Sequence, residues 1–528
     1  FRAAMPIKDP ADQASPRFHS FHILFNLAIL IALGFWLWQQ NTPAALVAPP
    51  LPPDGKLQCV SYAPYYGKDQ TPFKADTVIA PAQIDHDLAI LAERFDCVRI
   101  YSVDQGLSHV PEAAEKLGMQ VLLGAWIGSV SSKNDRELSL AIELANRYPK
   151  TVKGLIVGNE VLLRRELTPE ALRVYLERAQ QGTEVPVTYA DVWEFWIKNK
   201  SLESAVDYVT VHILPYWEDH PVSIEQGVQH THDVMFRLAS IFSKPLFIGE
   251  TGWPSVGRQR QGSTPSLVNE ARYIREFLQL AAAQGWHYNL IEAIDQPWKR
   301  DLEGAVGGYW GLYGTDLQPK FELSGTVRER HDDWGVLAWP LVGALLWLAY
   351  GWMLGLRRHA LIATATLGAV TAGFAMLQLE YLVVASRDLV EWLSLGSIAV
   401  SGWFIGLLLP RLILARTPLR VLSYQLTLIF LLNAVLVSNY LQLSDGRYRD
   451  FPLVLYLLPA LQLCFFTWCA GLMPRPASRY TFVIALIGLA SAIACTVVEI
   501  GSVVSFCWLA IVILFVLTAL PVRAHPKA

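Results

Sequence analysis

The chain has 528 residues, of which 53% are hydrophobic and 17% charged, and its mean hydropathy of +0.30 excludes a wholly soluble protein. The net charge of −3 conceals two opposite parts, because residues 52–333 carry 28 Lys and Arg against 38 Asp and Glu, whereas the remainder is net positive. An acidic globular part repels phosphate, and no basic run is interleaved with aromatic residues, so nucleic acid is excluded as a partner.

The first predicted element is an apolar helix over residues 20–38, preceded by a short segment, 1–19. About 20 apolar residues suffice to cross a bilayer. Since no small-residue cleavage pattern follows closely, the pattern predicts an uncleaved membrane anchor rather than a signal peptide. The Pro-rich segment 39–55 then predicts a stiff linker.

Residues 56–325 alternate short β-branched runs with amphipathic helical stretches, a pattern typical of a parallel sheet. Eight such units in about 270 residues predict a (β/α)8 barrel, with its active site at the C-terminal ends of the strands. Cys59 and Cys97 fall in the first two predicted strands, where a disulfide and two buried thiols fit equally well. The predicted strands are 58–63, 96–101, 119–125, 153–158, 185–190, 206–212, 244–249 and 288–294.

A second linker, 326–334, leads to a membrane domain of seven predicted helices over 335–521, followed by a tail, 522–528. The last two helices are separated only by a predicted tight turn near Glu499, because one helix of that length would far exceed a bilayer. The predicted spans are 335–355, 361–385, 389–410, 420–441, 452–473, 480–499 and 502–521.

The distribution of basic residues predicts the orientation of these helices. Twelve Lys and Arg near the span ends fall on the side of both termini, and three fall on the other side. By the positive-inside rule the termini are cytoplasmic and the barrel lies outside the plasma membrane, in the periplasm of a bacterium with two membranes. Glu380, expected near the bilayer centre, fits either a functional carboxylate or a protonated one bonded within the bundle.

Two glutamates directly follow long apolar strands of the predicted barrel. Glu160 ends the fourth strand and Glu250 ends the seventh, so the two lie across the barrel from each other. Long side chains from these positions converge on one bond, and carboxylates about 5 Å apart are the geometry of retaining glycoside hydrolysis. The sequence therefore predicts an acid and a nucleophile for cleaving a glycosidic bond.

These strand ends carry a resemblance to glycoside hydrolase family 17, the β-1,3-glucanases and glucanosyltransferases, over residues 57–322. With its helices, the whole chain resembles bacterial membrane-bound proteins described as β-(1,6)-glucan synthases. Fungal members have Asp-Glu-Pro-Trp-Lys where this chain has Gln296 at the second position. The matching blocks are Val98-Arg99-Ile100-Tyr101 with Asp104, Gly158-Asn159-Glu160, Pro215-Tyr216, Glu250-Thr251-Gly252-Trp253-Pro254-Ser255, Asp295-Gln296-Pro297-Trp298-Lys299 and Gly311-Leu312-Tyr313.

The resemblance implies the roles of individual residues. Glu160 is expected to be the general acid/base and Glu250 the nucleophile, with Asn159 bonding the sugar 2-hydroxyl. No cofactor and no metal are expected, since no cluster in the sequence has metal-ligand spacing. The other residues expected to bind substrate are Tyr101, Tyr216, Trp253, Trp298, Lys299 and Asp295.

Together these patterns predict a membrane-bound retaining glycosidase or transglycosylase that remodels, elongates or branches β-1,3-glucan outside the cell. Its expected partners are a β-glucan chain, the lipid bilayer and a glucan synthase in the same membrane. The alternative hypothesis is a glucan carrier or export protein, in which the helices guide the polysaccharide and the barrel mainly binds it.

Overall fold

The computed structural model describes residues 16–331, 335–414, 417–469 and 479–520. The chain divides into two units, which we call the barrel unit and the helical unit. The barrel unit comprises Pro43–Gly257 and Gly262–Val327. The helical unit comprises the chain before and after these limits, together with Arg258–Gln261, and its first helix is α1 (Pro16–Asn41). Residues 1–15 of the predicted segment 1–19, residues 332–334 of the second linker, residues 470–473 of the predicted span 452–473 and the whole predicted tail, 522–528, lie outside the described residues.

Eight parallel strands close into a ring in the barrel unit, each paired with its neighbour in sequence and the last with the first. This confirms the predicted (β/α)8 barrel, and each strand begins within three residues of its predicted start. A short antiparallel pair, β1 with β10, joins the segments that enter and leave the unit. The strands are β1 (Ala44–Ala45), β2 (Leu57–Ser61), β3 (Phe95–Arg99), β4 (Gln120–Ala125), β5 (Val152–Asn159), β6 (Val187–Val192), β7 (Val209–His212), β8 (Leu246–Thr251), β9 (His287–Leu290) and β10 (Thr326–Val327).

Helices between these strands surround the ring, and several have recognisable ends. The hydroxyl of Thr168 accepts a hydrogen bond from the amide of Ala171, and Pro169 supplies the fixed φ of a first helical residue. Gly285 ends α8 in the left-handed conformation. The helices are α2 (Pro81–Leu91), α3 (Val110–Leu117), α4 (Ser131–Arg147), α5 (Pro169–Gly182), α6 (Trp193–Lys198), α7 (Ile224–Ile241), α8 (Leu267–Gln284) and α9 (Arg300–Glu303).

The core of the barrel contains a covalent link. Cys59 on β2 lies directly opposite Cys97 on the adjacent strand β3, and the two form a disulfide with their Cα atoms 4.3 Å apart. Both side chains are fully buried in a cluster that includes Leu122, Ile156 and Phe247. Of the two alternatives left open by the sequence, the structure therefore has the disulfide.

The helical unit contains eight apolar helices among the described residues, one at each position predicted to span a membrane. Five of them are long and apolar enough to cross a bilayer: Arg17–Asn41, Arg358–Ala385, Leu389–Leu414, Pro418–Ser444 and Arg479–Val498. The last two helices are separated by a tight turn, as expected. The remaining bounds are α10 (Gly335–Met353), α11 (Arg358–Ala385), α12 (Leu389–Leu414), α13 (Pro418–Ser444), α14 (Leu453–Cys469), α15 (Arg479–Val498) and α16 (Val503–Ala519).

Glu380 is not near the middle of its helix. It lies five residues before the end of α11, and both terminal nitrogens of Arg330 donate hydrogen bonds to its carboxylate, at 2.8 and 2.7 Å. Glu380 therefore falls in the last two turns of α11, and its expected depth in a bilayer stays a prediction. A pair of this kind, with a carboxylate about half exposed, is an ordinary surface ion pair.

Candidate active site

The first candidate catalytic residue, Glu160, stands where the chain leaves β5. Its backbone has a φ of 54°, an uncommon value for a residue with a side chain, and its amide donates a hydrogen bond to the carbonyl of Ala190 at 2.8 Å. Two residues earlier, Gly158 has a φ of 85°, and a Cβ there would lie 2.7 Å from Cγ2 of Val161. This sharp turn places the Glu160 side chain at the mouth of the barrel, where it is 24% exposed.

The second, Glu250, lies within β8, and its side chain is only 6% exposed. Arg99 donates a hydrogen bond to its Oε1 atom at 2.8 Å, and the hydroxyl of Tyr101 lies 2.9 Å from the same atom. The preceding residue must be glycine, because a Cβ on Gly249 would lie 2.5 Å from Cγ2 of Thr210 on the neighbouring strand. Close packing of β7 and β8 therefore fixes the position of this carboxylate.

The two carboxylates meet at one imidazole. Oxygens of Glu160 and Glu250 and a ring nitrogen of His212 all lie within 4.8 Å of one another. Nδ1 of His212 lies 3.0 Å from Oε1 of Glu160, its Nε2 lies 3.6 Å from Oε1 of Glu250, and its side chain has no exposed surface. A separation of this size fits the retaining geometry and not the wider inverting one.

Sequence reasoning missed His212 and the position of Arg99. Both could have been found by the rule that identified the glutamates, since His212 is the last residue of β7 and Arg99 the last of β3. Arg99 also donates a hydrogen bond to Oδ1 of Asn159, the residue expected to bind the sugar 2-hydroxyl. One buried guanidinium thus orients both Asn159 and Glu250.

The charges around Glu250 favour its ionised form. Burial is the strongest influence on its pKa and raises it, but the charge interactions with His212 and Arg99, with the Tyr101 hydrogen bond, together outweigh burial and lower the pKa below its usual value. Burial raises the pKa of the Tyr101 hydroxyl, and the adjacent Glu250 raises it further. The Tyr101 hydroxyl therefore stays protonated and donates a hydrogen bond to the carboxylate.

Glu160, His212 and Glu250 have the residue types and spacing of a three-ligand metal site. The buried guanidinium of Arg99 contacts one of these carboxylates directly, so a divalent cation here would face a positive charge at close range. The donor set is better suited to acid–base chemistry than to a resident cation.

Tyr216 and Trp253 were expected to contact substrate, but neither has any exposed surface. Their rings pack edge to face with centroids 6.1 Å apart, and the indole nitrogen of Trp253 donates a hydrogen bond to the carbonyl of Thr264. In this conformation both rings are packed in the hydrophobic core of the barrel unit and offer no surface to a sugar. The structure does not expose either ring to a sugar, and direct substrate contact by these two residues stays a prediction.

Residues after β9 form a second group of charges. Nζ of Lys299 lies 2.8 Å from Oε2 of Glu292, whose pKa is raised to about 7 by burial. Asp295 accepts hydrogen bonds from the amide of Gly311 at 2.9 Å and from Lys320 at 3.1 Å. Lys299 is close enough for its charge to lower the pKa of Glu250, whereas Asp295 is bonded into the loops that follow the barrel.

Trp298 is half-buried beside the mouth of the barrel. Its ring contacts those of Tyr65 and Phe73, and its nitrogen donates a hydrogen bond to Oε1 of Gln296 at 2.7 Å. The Gln296 amide in turn donates to the carbonyl of Ala63. An ionised glutamate has no N–H or O–H with which to donate to the carbonyl of Ala63. The hydrogen bond to this carbonyl therefore explains why the position carries glutamine.

Residues 59–311 match the family model described as the BtgE/BtgC glycoside hydrolase domain. A protein named glucan 1,3-beta-glucosidase from Candida albicans is 26% identical over 261 residues, covering 45% of this chain and 84% of that protein. A putative glucan endo-1,3-beta-glucosidase from Aspergillus niger is 27% identical over 269 residues, covering 44% of this chain and 39% of that protein.

Among solved structures, the chain is similar to the glycoside hydrolase family 17 β-1,3-glucanosyltransferase of Rhizomucor miehei, at 24% identity and a TM-score of 0.44, covering 51% of this chain and 97% of that one. The family model and the relatives support the resemblance to family 17 that the strand-end motifs carry, for the barrel alone. The barrel is thus similar to glycoside hydrolase domains, and the chain is an enzyme of the glycosidase or transglycosylase class.

Proposed function

We propose that the barrel cleaves and transfers β-1,3-glucan by a retaining double displacement, with Glu250 as the nucleophile and Glu160 as the general acid/base. The observation that carries this proposal is the pair of carboxylates with oxygens within 4.8 Å at the mouth of the barrel. The choice of roles follows from their surroundings, since Glu250 is buried against Arg99 and ionised, whereas Glu160 is more open to solvent and to a leaving group.

The reaction then has two steps. The ionised carboxylate of Glu250 attacks the anomeric carbon, while Glu160 gives its proton to the glycosidic oxygen and the leaving sugar departs. The glucosyl ester on Glu250 is attacked in turn by an oxygen nucleophile, whose proton passes to Glu160. Water as the nucleophile gives hydrolysis, and a sugar hydroxyl gives transfer to a longer or branched glucan.

His212 and Arg99 act on the catalytic pair as positioning residues. His212 lies between the two carboxylates, where its ring hydrogen-bonds Glu160 and its charge interaction helps to keep Glu250 ionised. Arg99 holds Glu250 and Asn159 at one spacing, so that the nucleophile and the amide proposed to bind the 2-hydroxyl face the same sugar. Such preorganised charge is a large part of glycosidase catalysis.

The proposed substrate class rests on the names of the relatives, which are glucan 1,3-beta-glucosidases. Tyr101, Trp298 and Lys299 retain the role of substrate contacts in this proposal, because each is near the catalytic pair or the mouth of the barrel and none is fully exposed to solvent. Asp295 is proposed to act indirectly, by holding the loops that carry Lys299 and Lys320.

We further propose that the helical unit anchors the enzyme in the plasma membrane, with the barrel on the outer side. Support comes from the five helices long enough to span a bilayer and from the excess of basic residues on the side of the termini. Buried polar groups of this unit bond to one another, as when Gln462 lies 3.2 Å from His22 and donates to Asn26 at 2.9 Å. Hydrogen bonds between polar side chains of different helices are typical of groups that hold membrane helices together. The carrier hypothesis and a partner synthase stay predictions.

The test of the proposed function uses purified full-length protein and laminari-oligosaccharides. Glu250→Gln is expected to lower kcat on the order of a thousandfold or more, because an amide does not form the ester. Glu160→Ala is expected to regain activity with azide on a donor that carries a good leaving group, giving a glycosyl azide of retained configuration. Glu177→Gln, on the exposed face of α5, is the matched control. Wild-type-like turnover by Glu250→Gln would overturn the assignment.

A further inference from the structure

We infer that Trp126 is a stacking platform for a glucosyl unit of the β-glucan chain beyond the reacting sugar, an inference that rests on the proposed function. Trp126 directly follows β4, so it stands at the end of the barrel where the strand ends carry the catalytic residues. Its residue surface is 40% exposed, in contrast to Trp253 and Trp310, which are almost completely buried. A large aromatic ring left open beside a catalytic site is a feature of ligand-binding surfaces.

The ring is held from one side by Arg164. The guanidinium carbon of Arg164 lies 4.2 Å from the centroid of the Trp126 ring, a close cation–π contact. The same guanidinium donates a hydrogen bond to the carbonyl of Ile127 at 3.0 Å and pairs with Glu166 at 2.7 Å. These contacts fix the ring without covering all of it, so binding a sugar on the open face costs little conformational entropy.

Arg164 also ties this platform to the catalytic machinery. It follows Glu160 by four residues, and its guanidinium donates a hydrogen bond to the carbonyl of Asn159. The arginine that holds the Trp126 ring and the acid/base therefore lie on the same turn after β5, whereas Trp126 itself follows β4. The groups that surround the reacting sugar, among them Glu250, His212 and Arg99, lie on other strand ends, so Trp126 is placed for a neighbouring unit of the chain.

The chemistry of the surroundings fits a pyranose ring. Leu163 and Val130, on the loops after β5 and β4, are exposed large apolar residues like Trp126. A β-linked glucose presents a face of C–H groups for stacking on an indole and hydroxyls at its rim for the charged groups of Arg164 and Glu166. An aromatic contact of this kind contributes modestly per sugar, so it sets the preference for chain length rather than the chemical step.

The experiment measures kcat and KM of the full-length enzyme on laminari-oligosaccharides of increasing length. Trp126→Ala is expected to raise KM about 5- to 10-fold for the longer oligosaccharides, with kcat nearly unchanged and the shortest cleaved substrate unaffected. Trp126→Phe should restore most of the loss. Phe236→Ala, which removes an exposed aromatic ring on α7 that stacks on His232, is the matched control and should change nothing.

The inference would be overturned if Trp126→Ala raised KM equally for every chain length or did not raise it for any. It would also be overturned if Trp126→Ala melted at the wild-type temperature and Trp126→Phe did not restore the lost binding. The proposed function is judged in the same assay by the wild-type enzyme alone. If the wild type cleaves no laminari-oligosaccharide, the proposed function fails. If the wild type cleaves them and Trp126→Ala has the same KM as the wild type, only the role of Trp126 is contradicted.

Discussion

Charged side chains are buried or half-buried in both units of this protein, but they are arranged in different ways. At the mouth of the barrel, Glu160 and Glu250 lie within 4.8 Å of each other and share His212, with Arg99 on one of them. In the helical unit, Glu391 is paired with two arginines, Arg387 at 2.6 Å and Arg449 at 2.5 Å. Like charges brought together oppose folding and are retained for chemistry, whereas opposite charges brought together neutralise each other and serve packing.

The largest effect in this comparison is expected from Arg99→Met, which removes the positive charge from the catalytic pair. We expect kcat/KM to fall about 100-fold or more. Because Arg99 lowers the pKa of Glu250, its removal raises that pKa, and the acidic limb of the pH–rate profile should move to higher pH. An acidic limb that stays in place would show that Arg99 does not set the charge of the nucleophile.

A smaller loss is expected from His212→Gln, which keeps a hydrogen-bonding group but removes the ring between the two carboxylates. We expect kcat to fall about 10- to 100-fold with KM changed much less, because the imidazole contacts both catalytic groups and is buried beneath them. His220→Gln, a substitution in the loop after β7, serves as the control. An equal rise in KM with unchanged kcat would assign His212 to substrate binding instead.

The disulfide tests whether the barrel depends on a covalent constraint. Replacing Cys59 and Cys97 together by Ala is expected to lower the free energy of unfolding by about 2–4 kcal/mol, because the link closes a loop between residues 38 apart in sequence. Thermal unfolding of the barrel, with and without reductant, measures the change. Cys507→Ser, at an exposed free cysteine, should leave the transition unaltered and as sensitive to reductant as that of the wild type. If the disulfide of the wild type is shown to be reduced and the melting temperature does not fall, the prediction is contradicted.

The smallest effect is expected from Glu380→Gln in the helical unit. Its carboxylate is about half exposed and paired with Arg330, and such pairs contribute about 0–1 kcal/mol. We expect catalytic activity and the melting temperature to remain close to those of the wild type. A severe loss of either would give Glu380 a functional role and would break the contrast between the two units.

The barrel and the apolar helices could be predicted because their signals are local. Periodicity defines each strand, and a glutamate at a strand end lies at the mouth of the barrel whichever loops surround it. The closeness of Glu160 and Glu250 could therefore be predicted from their positions, and their catalytic roles stay predictions. The burial of Tyr216 and Trp253 depends on rings that come together from distant parts of the chain. The ion pair of Glu380 with Arg330 likewise joins residues that are far apart in the sequence. His212 ends β7 and Trp126 follows β4, so the same strand-end rule covers both. The rule was applied only to carboxylates, because histidine and tryptophan occur so often in ordinary packing.

The central claim is that Glu250 becomes covalently bound to the sugar, and trapping that bond tests it most directly. The full-length enzyme would be treated with a 2-deoxy-2-fluoro-β-laminaribiosyl fluoride, digested and analysed by mass spectrometry. The account predicts one laminaribiosyl ester on the peptide that contains Glu250, absent from the Glu250→Gln variant. Labelling of Glu160, Glu292 or Asp295 instead, or cleavage of laminari-oligosaccharides with inverted configuration, would contradict it.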